Sequence, residues 1–289
     1  MDSVVRAKLE VGAIIQARAR SRRLPEKVLL KLPFGGPHSL VEQIVLRARD
    51  APSLKSVIVA TGVDAANDPL VDAAKRVAAP LFRGSETDVL GRLIEAAEEH
   101  GLDVVVRLTG DNPCIDPLYI ERTVQAHLRS GADYTRTVGL PLGTNVEVVS
   151  LHALQQIHGS SATSEDREHV TLFMSRYPSR FTISNLDYSA DEYRDLRLTV
   201  DWPGDYAFAC FLYERLYQSN PSFDLTSIVR VLGDHPWAKF INGSLKQVSM
   251  HSTIEEELHE ALAMLDLHGY TQAGEYLLAI LKSRLEEQS

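Results

Sequence analysis

The chain has 289 residues, 44% of them hydrophobic and 24% charged. That mixture excludes disorder throughout, and a chain of this length buries about 75% of the surface its unfolded form exposes, so its core needs no covalent staples. Lysine and arginine number 30 against 39 aspartates and glutamates, a net charge of −9, which argues against a nucleic-acid or anionic-membrane partner. Two cysteines, Cys114 and Cys210, form neither a CxxC pair nor a disulfide framework. Residues 1–9 hold no apolar signal core and no 18-residue window is apolar throughout, so the reading is a cytoplasmic protein without a membrane span.

In chain order, apolar runs alternate with amphipathic stretches through the first half, the rhythm of a parallel sheet covered by helices. Strands are expected at residues 11–17, 57–61, 104–109 and 146–149, and helices at 39–49, 69–77 and 88–100, the last ended by Gly101. The second half is less regular. It offers strands at 181–183 and 196–200, an acidic loop or arm at 185–195, and helices at 205–217 and 225–232. Residues 252–287 read as two further helices. The first opens on the capping box Ser252 and Glu255, carries Ile254, Leu258, Ala261, Leu262 and Leu265 on one face, and stops at Gly269. No linker or repeat forces a boundary, so residues 1–250 are expected to form one α/β domain and residues 251–289 a helical appendage.

Three segments carry chemistry. The first strand runs from Ile14 and Ile15 through Gln16 and Ala17 into a loop with five basic residues, Arg18, Arg20, Arg22, Arg23 and Lys27. Such a loop lies at the carboxyl edge of the sheet, where open α/β folds bind ligands, and forked guanidinium and ammonium contacts suit a polyphosphate. Its ordinary alternative is a solvated charge run. The second is Thr109-Gly110-Asp111-Asn112-Pro113, where a carboxylate just past a strand end suits magnesium shared with phosphate oxygens, or serves a simple turn. The third is Thr199-Val200-Asp201-Trp202-Pro203, where Asp201 either brings a second carboxylate to the same metal or caps the following helix. No P-loop, GxGxxG fingerprint, GxSxG elbow or HExxH motif is present.

In this order, the strand running into Ile14-Ile15-Gln16-Ala17-Arg18 and Arg23-Leu24-Pro25-Glu26-Lys27, then the Thr109 and Thr199 segments, resemble the cytidylyltransferase family, closest to its spore coat polysaccharide biosynthesis branch. Val57-Ile58-Val59-Ala60-Thr61, Phe82-Arg83-Gly84-Ser85-Glu86-Thr87-Asp88, Gly143-Thr144-Asn145-Val146-Glu147 and Arg167-Glu168-His169-Val170-Thr171 are similar to the family as well, so the likeness spans roughly residues 12–235. It implies a nucleotide-diphospho-sugar transferase type of α/β fold, a mostly parallel mixed sheet flanked by helices. It also implies CTP and a small-molecule acceptor as substrates, magnesium as cofactor, and a homodimer.

Carried onto this sequence, the resemblance places Gln16, Ala17, Arg18, Thr109 and Gly110 at the nucleotide, Arg23 and Lys27 at its phosphates, and Arg83 and Ser85 toward base or ribose. It makes Asp111 and Asp201 the magnesium ligands and sets Glu147, Arg167 and His169 toward the acceptor or the dimer partner. An acceptor oxygen would attack the α-phosphorus in line, with Arg23 and Lys27 stabilising the leaving pyrophosphate. The sequence departs from the family where Arg20 replaces a small residue, often glycine, Arg22 a small or polar residue, Glu26 a glycine, and Asn145 a usual aspartate. Two other functions stay open at this point: a glycosyltransferase using a nucleotide sugar, and a non-catalytic nucleotide or nucleic-acid binder using the basic loop.

Overall fold

The computed structural model describes residues 9–160, 162–189 and 196–245, followed in the C-terminal segment by residues 258, 261–262, 264–266 and 269–286. The chain divides into two units, Met1–Leu245 and Lys246–Ser289.

The first strand, β1 (Val11–Gln16), is buried along nearly its whole length. A two-residue pair, β2 (Lys31–Leu32) and β3 (His38–Ser39), leads into α1 (Leu40–Ala48). Then follow β4 (Ser56–Gly62), α2 (Asp68–Arg76), β5 (Leu81–Gly84), α3 (Val89–Glu99), β6 (Val104–Thr109) and α4 (Pro117–Ser130). Next come β7 (Tyr134–Val138), β8 (Glu147–Ser150), α5 (Leu151–His158), the short α6 (Ser164–His169) and α7 (Leu172–Arg176), and β9 (Ile183–Asp187). Two longer helices, α8 (Pro203–Leu216) and α9 (Leu225–Asp234), complete the first unit.

Seven strands form one sheet in the order β5-β4-β1-β6-β8-β7-β9, and only β8 runs against the others. The near-continuous apolar runs of β1, β4 and β6 belong to strands covered on both faces. Alternation sorts their side chains. Ala13, Ile15, Val57, Val59, Val104 and Val106 join the core under α1, α2, α4, α8 and α9, whereas Ile14, Ile58, Ala60 and Val105 join the core under α3, α5 and α7. The result is a three-layer, mostly parallel mixed sheet flanked by helices.

The expected strands and helices of the first half recur with ends shifted by one or two residues. Elsewhere the structure corrects the sequence reading. The run 146–149 is antiparallel, and β7, which carries Arg136 amid threonines, has no apolar signature to betray it. Residues 185–187 belong to β9 rather than to a loop, because β7 offers them an edge to pair with. Residues 196–200 are not a strand. They hang on the loop after β7 through an isolated bridge between Leu142 and Arg197, and on the site loop through Val200 N–H to the Asp111 carbonyl at 2.8 Å.

In the second unit, Leu258, Ala261, Leu262 and Leu265 are helical, Gly269 takes a left-handed φ of 72°, and α10 (Thr271–Glu286) follows. Ser252, Ile254 and Glu255 lie outside the described residues. Among the described residues no helix is long and apolar enough to cross a membrane.

The α1 helix opens on a capping box in which Ser39 and Glu42 satisfy each other's end groups. Burial alone would raise the Glu42 carboxyl, but hydrogen bonds from Arg76 and from the Ser39 hydroxyl and N–H, with the Lys31 charge, outweigh it and bring it down to about 2. A carboxyl depressed on folding stabilises fully above its unfolded value and loses that contribution as the pH falls toward 2. Glu42→Gln should therefore cost on the order of 3 kcal/mol near neutral pH, from the size of that shift. In urea titrations the deficit should shrink as the pH is lowered from 4.5, and a deficit independent of pH would contradict the assignment.

Candidate active site

The register of the central strands sets the stage. Gln16 pairs with Thr109 at the carboxyl ends of β1 and β6, so the basic loop and the Gly110-Asp111 turn leave the sheet side by side. Gly110 N–H donates to the Gln16 carbonyl at 2.9 Å, and a Cβ at Gly110 would stand 2.9 Å from that of Ala17. Glycine is what allows this approach. Beyond Ala17 the loop alternates, with Ala17 and Ala19 buried and Arg18, Arg20 and Arg22 exposed. It is anchored by Ala17 N–H to the Ala60 carbonyl and by Ala19 N–H to Asn67. At Glu26, where the family usually has glycine, the backbone is left-handed with a φ of 54°. Lys27, the next residue, is buried.

Three segments meet at Lys27. Its Nζ donates to Asp111 Oδ2 at 2.7 Å and to Asp201 Oδ1 at 2.8 Å, and Arg23 Nη2 reaches the same Asp201 oxygen at 2.7 Å while its guanidinium lies 5.4 Å from the Trp202 ring centre. The Thr109 hydroxyl donates to Asp111 Oδ1 at 2.7 Å. Behind Asp201 stands a buried layer: Arg197 bonds Asp201 Oδ2 at 3.0 Å and grips both oxygens of Asp205, which also accept from Asn242 and from the N–H groups of Asp201 and Trp202. The N-terminal end groups of α8 thus go to Asp205, and Asp201 is left to face the cations. Burial alone would raise the Asp201 carboxyl, and the hydrogen bond and charge of Lys27, with Arg23 and Arg197, hold it below the usual range.

A cleft of about 420 Å³ opens beside this cluster, lined among others by Thr109, Asn112, Arg136, Thr137, Gly143 and Asn145. Gly143, at φ 95°, lets this wall press on the 198–199 backbone, where a Cβ would stand 2.5 Å from the Thr199 nitrogen. Arg136 donates from Nε to Asn185 at 3.0 Å, and its other nitrogens meet no carboxylate among the described residues. Asn112 Oδ1 is buried without a hydrogen-bond partner. The cleft thus has in its lining an arginine that no carboxylate among the described residues neutralises.

The other expected site residues lie apart from the cluster or are already engaged. Arg83, on the edge strand β5, is tied to Asp68 at 2.7 Å and to the carbonyls of Gly62, Val63 and Asp64. Ser85 accepts from Asp88 N–H, and Arg167 pairs with Asp88 at 2.7 Å. Arg18 comes within 3.9 Å of Glu168. Glu147 lines the cleft but its oxygens are taken by Arg107, Tyr134 and Thr171. Burial would raise its carboxyl, and the Arg107 charge followed by the Tyr134 and Thr171 hydrogen bonds lower it instead. His169 is half-buried, next to Val170, whose positive φ of 47° is a strained value for a β-branched residue.

Sequence reasoning missed Arg136, Arg197, Asp205, Asn242 and the spare oxygen of Asn112. A signal existed for two of them: Arg197, Asp201 and Asp205 recur at intervals of four, one cation followed by two carboxylates. Asn242 and Arg136 carry no such mark.

Residues 12–231 match the profile of the cytidylyltransferases. The chain belongs to this family. It is 33% identical over 232 residues to the spore coat polysaccharide biosynthesis protein SpsF of Bacillus subtilis, a match covering 77% of this chain and 94% of that protein. The fold is similar to that of a cytidylyltransferase from Leptospira borgpetersenii, with a TM-score of 0.75, 24% identity and coverage of 84% of this chain and all of the other. It is also similar to that of CMP:2-keto-3-deoxy-manno-octonic acid synthetase complexed with CTP, with a TM-score of 0.57, 16% identity and coverage of 71% and 99%.

Asp205→Ala would leave the buried Arg197, whose Nη1 already lacks a partner, with Asp201 as its one remaining carboxylate among the described residues. We expect a loss of about 3 to 5 kcal/mol, the range for breaking a buried pair. Asp111→Asn leaves Lys27 bonded to Asp201 and should cost no more than about 1 kcal/mol. Urea unfolding of both variants checks this, and equal losses would sink the distinction between a supporting layer and a working surface.

Proposed function

We propose that the protein transfers CMP from CTP to a hydroxyl of a small anionic acceptor, releasing pyrophosphate, with magnesium as cofactor. The observation that carries this reading is the convergence of Asp111, Asp201, Lys27 and Arg23 at the carboxyl edge of the sheet, beside a cleft whose Arg136 meets no carboxylate among the described residues. Two carboxylate oxygens within hydrogen-bond reach of one ammonium already define a point for a cation, and magnesium suits such a pair when phosphate oxygens complete its shell. Bound there, it would neutralise phosphate charge and acidify the attacking hydroxyl.

The chain's own residues do the positioning. Exposed Arg18, Arg20 and Arg22, with Arg23 and Lys27, favour a free triphosphate over a nucleotide sugar. The acceptor occupies the cleft with its anion on Arg136, which aims a neighbouring oxygen at the α-phosphorus. A bond forms from that oxygen to the α-phosphorus as the bond to the β-phosphate bridge breaks. The hydroxyl proton leaves to solvent, and Arg23 and Lys27 carry the charge of the departing pyrophosphate. The CTP in the synthetase of similar fold and the polysaccharide pathway in the name of the Bacillus relative support the nucleotide and the broad class of acceptor.

Thermal stabilisation by each of the four ribonucleoside triphosphates, with and without magnesium, tests the nucleotide directly. CTP alone should raise the melting temperature, in a magnesium-dependent way, and stabilisation by none of the four would refute the proposal. With an acceptor found by pyrophosphate release, Asp111→Ala should lower turnover at least about a hundredfold, on the scale of losing one transition-state charge contact. Arg136→Met should raise the acceptor KM about tenfold or more, the worth of one charged hydrogen bond, and leave the CTP KM unchanged.

A further inference from the structure

The point between Asp111 and Asp201 holds one of the chain's own cations. Lys27 is 11% exposed in its side chain, and its ammonium bonds the two carboxylates at 2.7 and 2.8 Å. The remaining oxygens of both groups are also engaged: Asp201 Oδ2 by Arg197, and Asp111 Oδ1 by the Thr109 hydroxyl. Arg23 adds a second cation on Asp201 Oδ1. With Asp205, three carboxylates face three cations, Arg23, Lys27 and Arg197, so the cluster is neutral as it stands.

We propose that Lys27 and a divalent cation compete for this one point, so that the protein takes up its metal together with a polyphosphate and not before it. This rests on the magnesium reading above. A dication entering alone must displace the ammonium from two charge-assisted bonds, its only ion pairs among the described residues, and leave it close to the incoming charge. A nucleoside triphosphate removes that obstacle, because it brings more negative charge than the metal brings positive. Lys27 and Arg23 then exchange carboxylate oxygens for phosphate oxygens, and the freed carboxylates ligate the metal. The four-carbon stem of Lys27 permits this exchange. The point sits at the end of the loop whose exposed arginines meet the phosphates first.

Manganese is the probe, titrated into the full-length protein without nucleotide and followed by the paramagnetic resonance of the free ion. Wild-type protein should bind it at least tenfold more weakly than Lys27→Met, in which the competitor is removed and the stem volume kept. Lys27→Arg, still cationic, should stay close to wild type. Adding Asp111→Asn to Lys27→Met should abolish the gain and so assign the ion to this point. Lys27→Gln serves as a second neutral variant if circular dichroism shows that Lys27→Met does not fold. Equal manganese affinity in wild type and the neutral variant, whether tight or undetectable, overturns the proposal. The magnesium reading itself fails separately, through a CTP-induced thermal shift in the wild-type protein that is indifferent to the metal.

Discussion

Everything distinctive about this structure depends on one part-buried ammonium shared by two carboxylates. Lys27 is 84 residues from Asp111 and 174 from Asp201, and its two short hydrogen bonds close those distances at a single point. Removing charges from water is costly, and buried ion pairs are weak contributors to stability when compared with apolar packing. The cluster therefore reads as a site that the rest of the fold keeps assembled. The keeping is visible in the layer behind it, where Arg197, Asp205 and Asn242 bond one another in the interior and leave Asp201 facing the basic loop.

The sheet supplies the positional accuracy. Parallel pairing of β1 with β6 aligns Gln16 with Thr109, and the residues that follow each of them emerge at the same edge. Gly110 keeps the two turns in contact at one side, and Gly143 keeps the cleft wall against the 198–199 backbone at the other. Between them stands a segment, residues 196–200, that has left the sheet. Its bonds to Leu142 and to the Asp111 carbonyl make it a strap that carries Asp201 across to Asp111. Side chains that bind a ligand are thus mounted on loops whose backbones are pinned to rigid elements, the usual division of labour in α/β proteins.

The ease of reading varied with how much of each signal was local. β1, β4 and β6 are apolar runs because helices cover both their faces, and α2 and α9 are amphipathic because only one face is covered. β7, with its arginine and threonines, pairs through backbone groups that any sequence possesses. Residues 196–200 have the alternation of a strand, yet their one bridge is to Leu142, which lies outside the sheet. Asp111, Asp201, Lys27 and Arg23 stood in recognisable motifs, and the structure brings them together. Arg83, Ser85, Arg167 and Glu147 stood in motifs too, and the structure engages each with protein partners.

By itself the sequence determined the class of fold, the family and the chemical character of the site. Apolar periodicity is a property of neighbouring residues, and short motifs hold carboxylates and cations at strand ends wherever those ends finally lie. Only the tertiary structure decided that Lys27 lies between Asp111 and Asp201, that Asp205 and not Asp201 serves the start of α8, and that Arg136 lines the cleft with no carboxylate bonded to it among the described residues. Those facts are distances between residues far apart in the chain, and they follow from strand register and from the path of residues 196–200, neither of which any local pattern encodes.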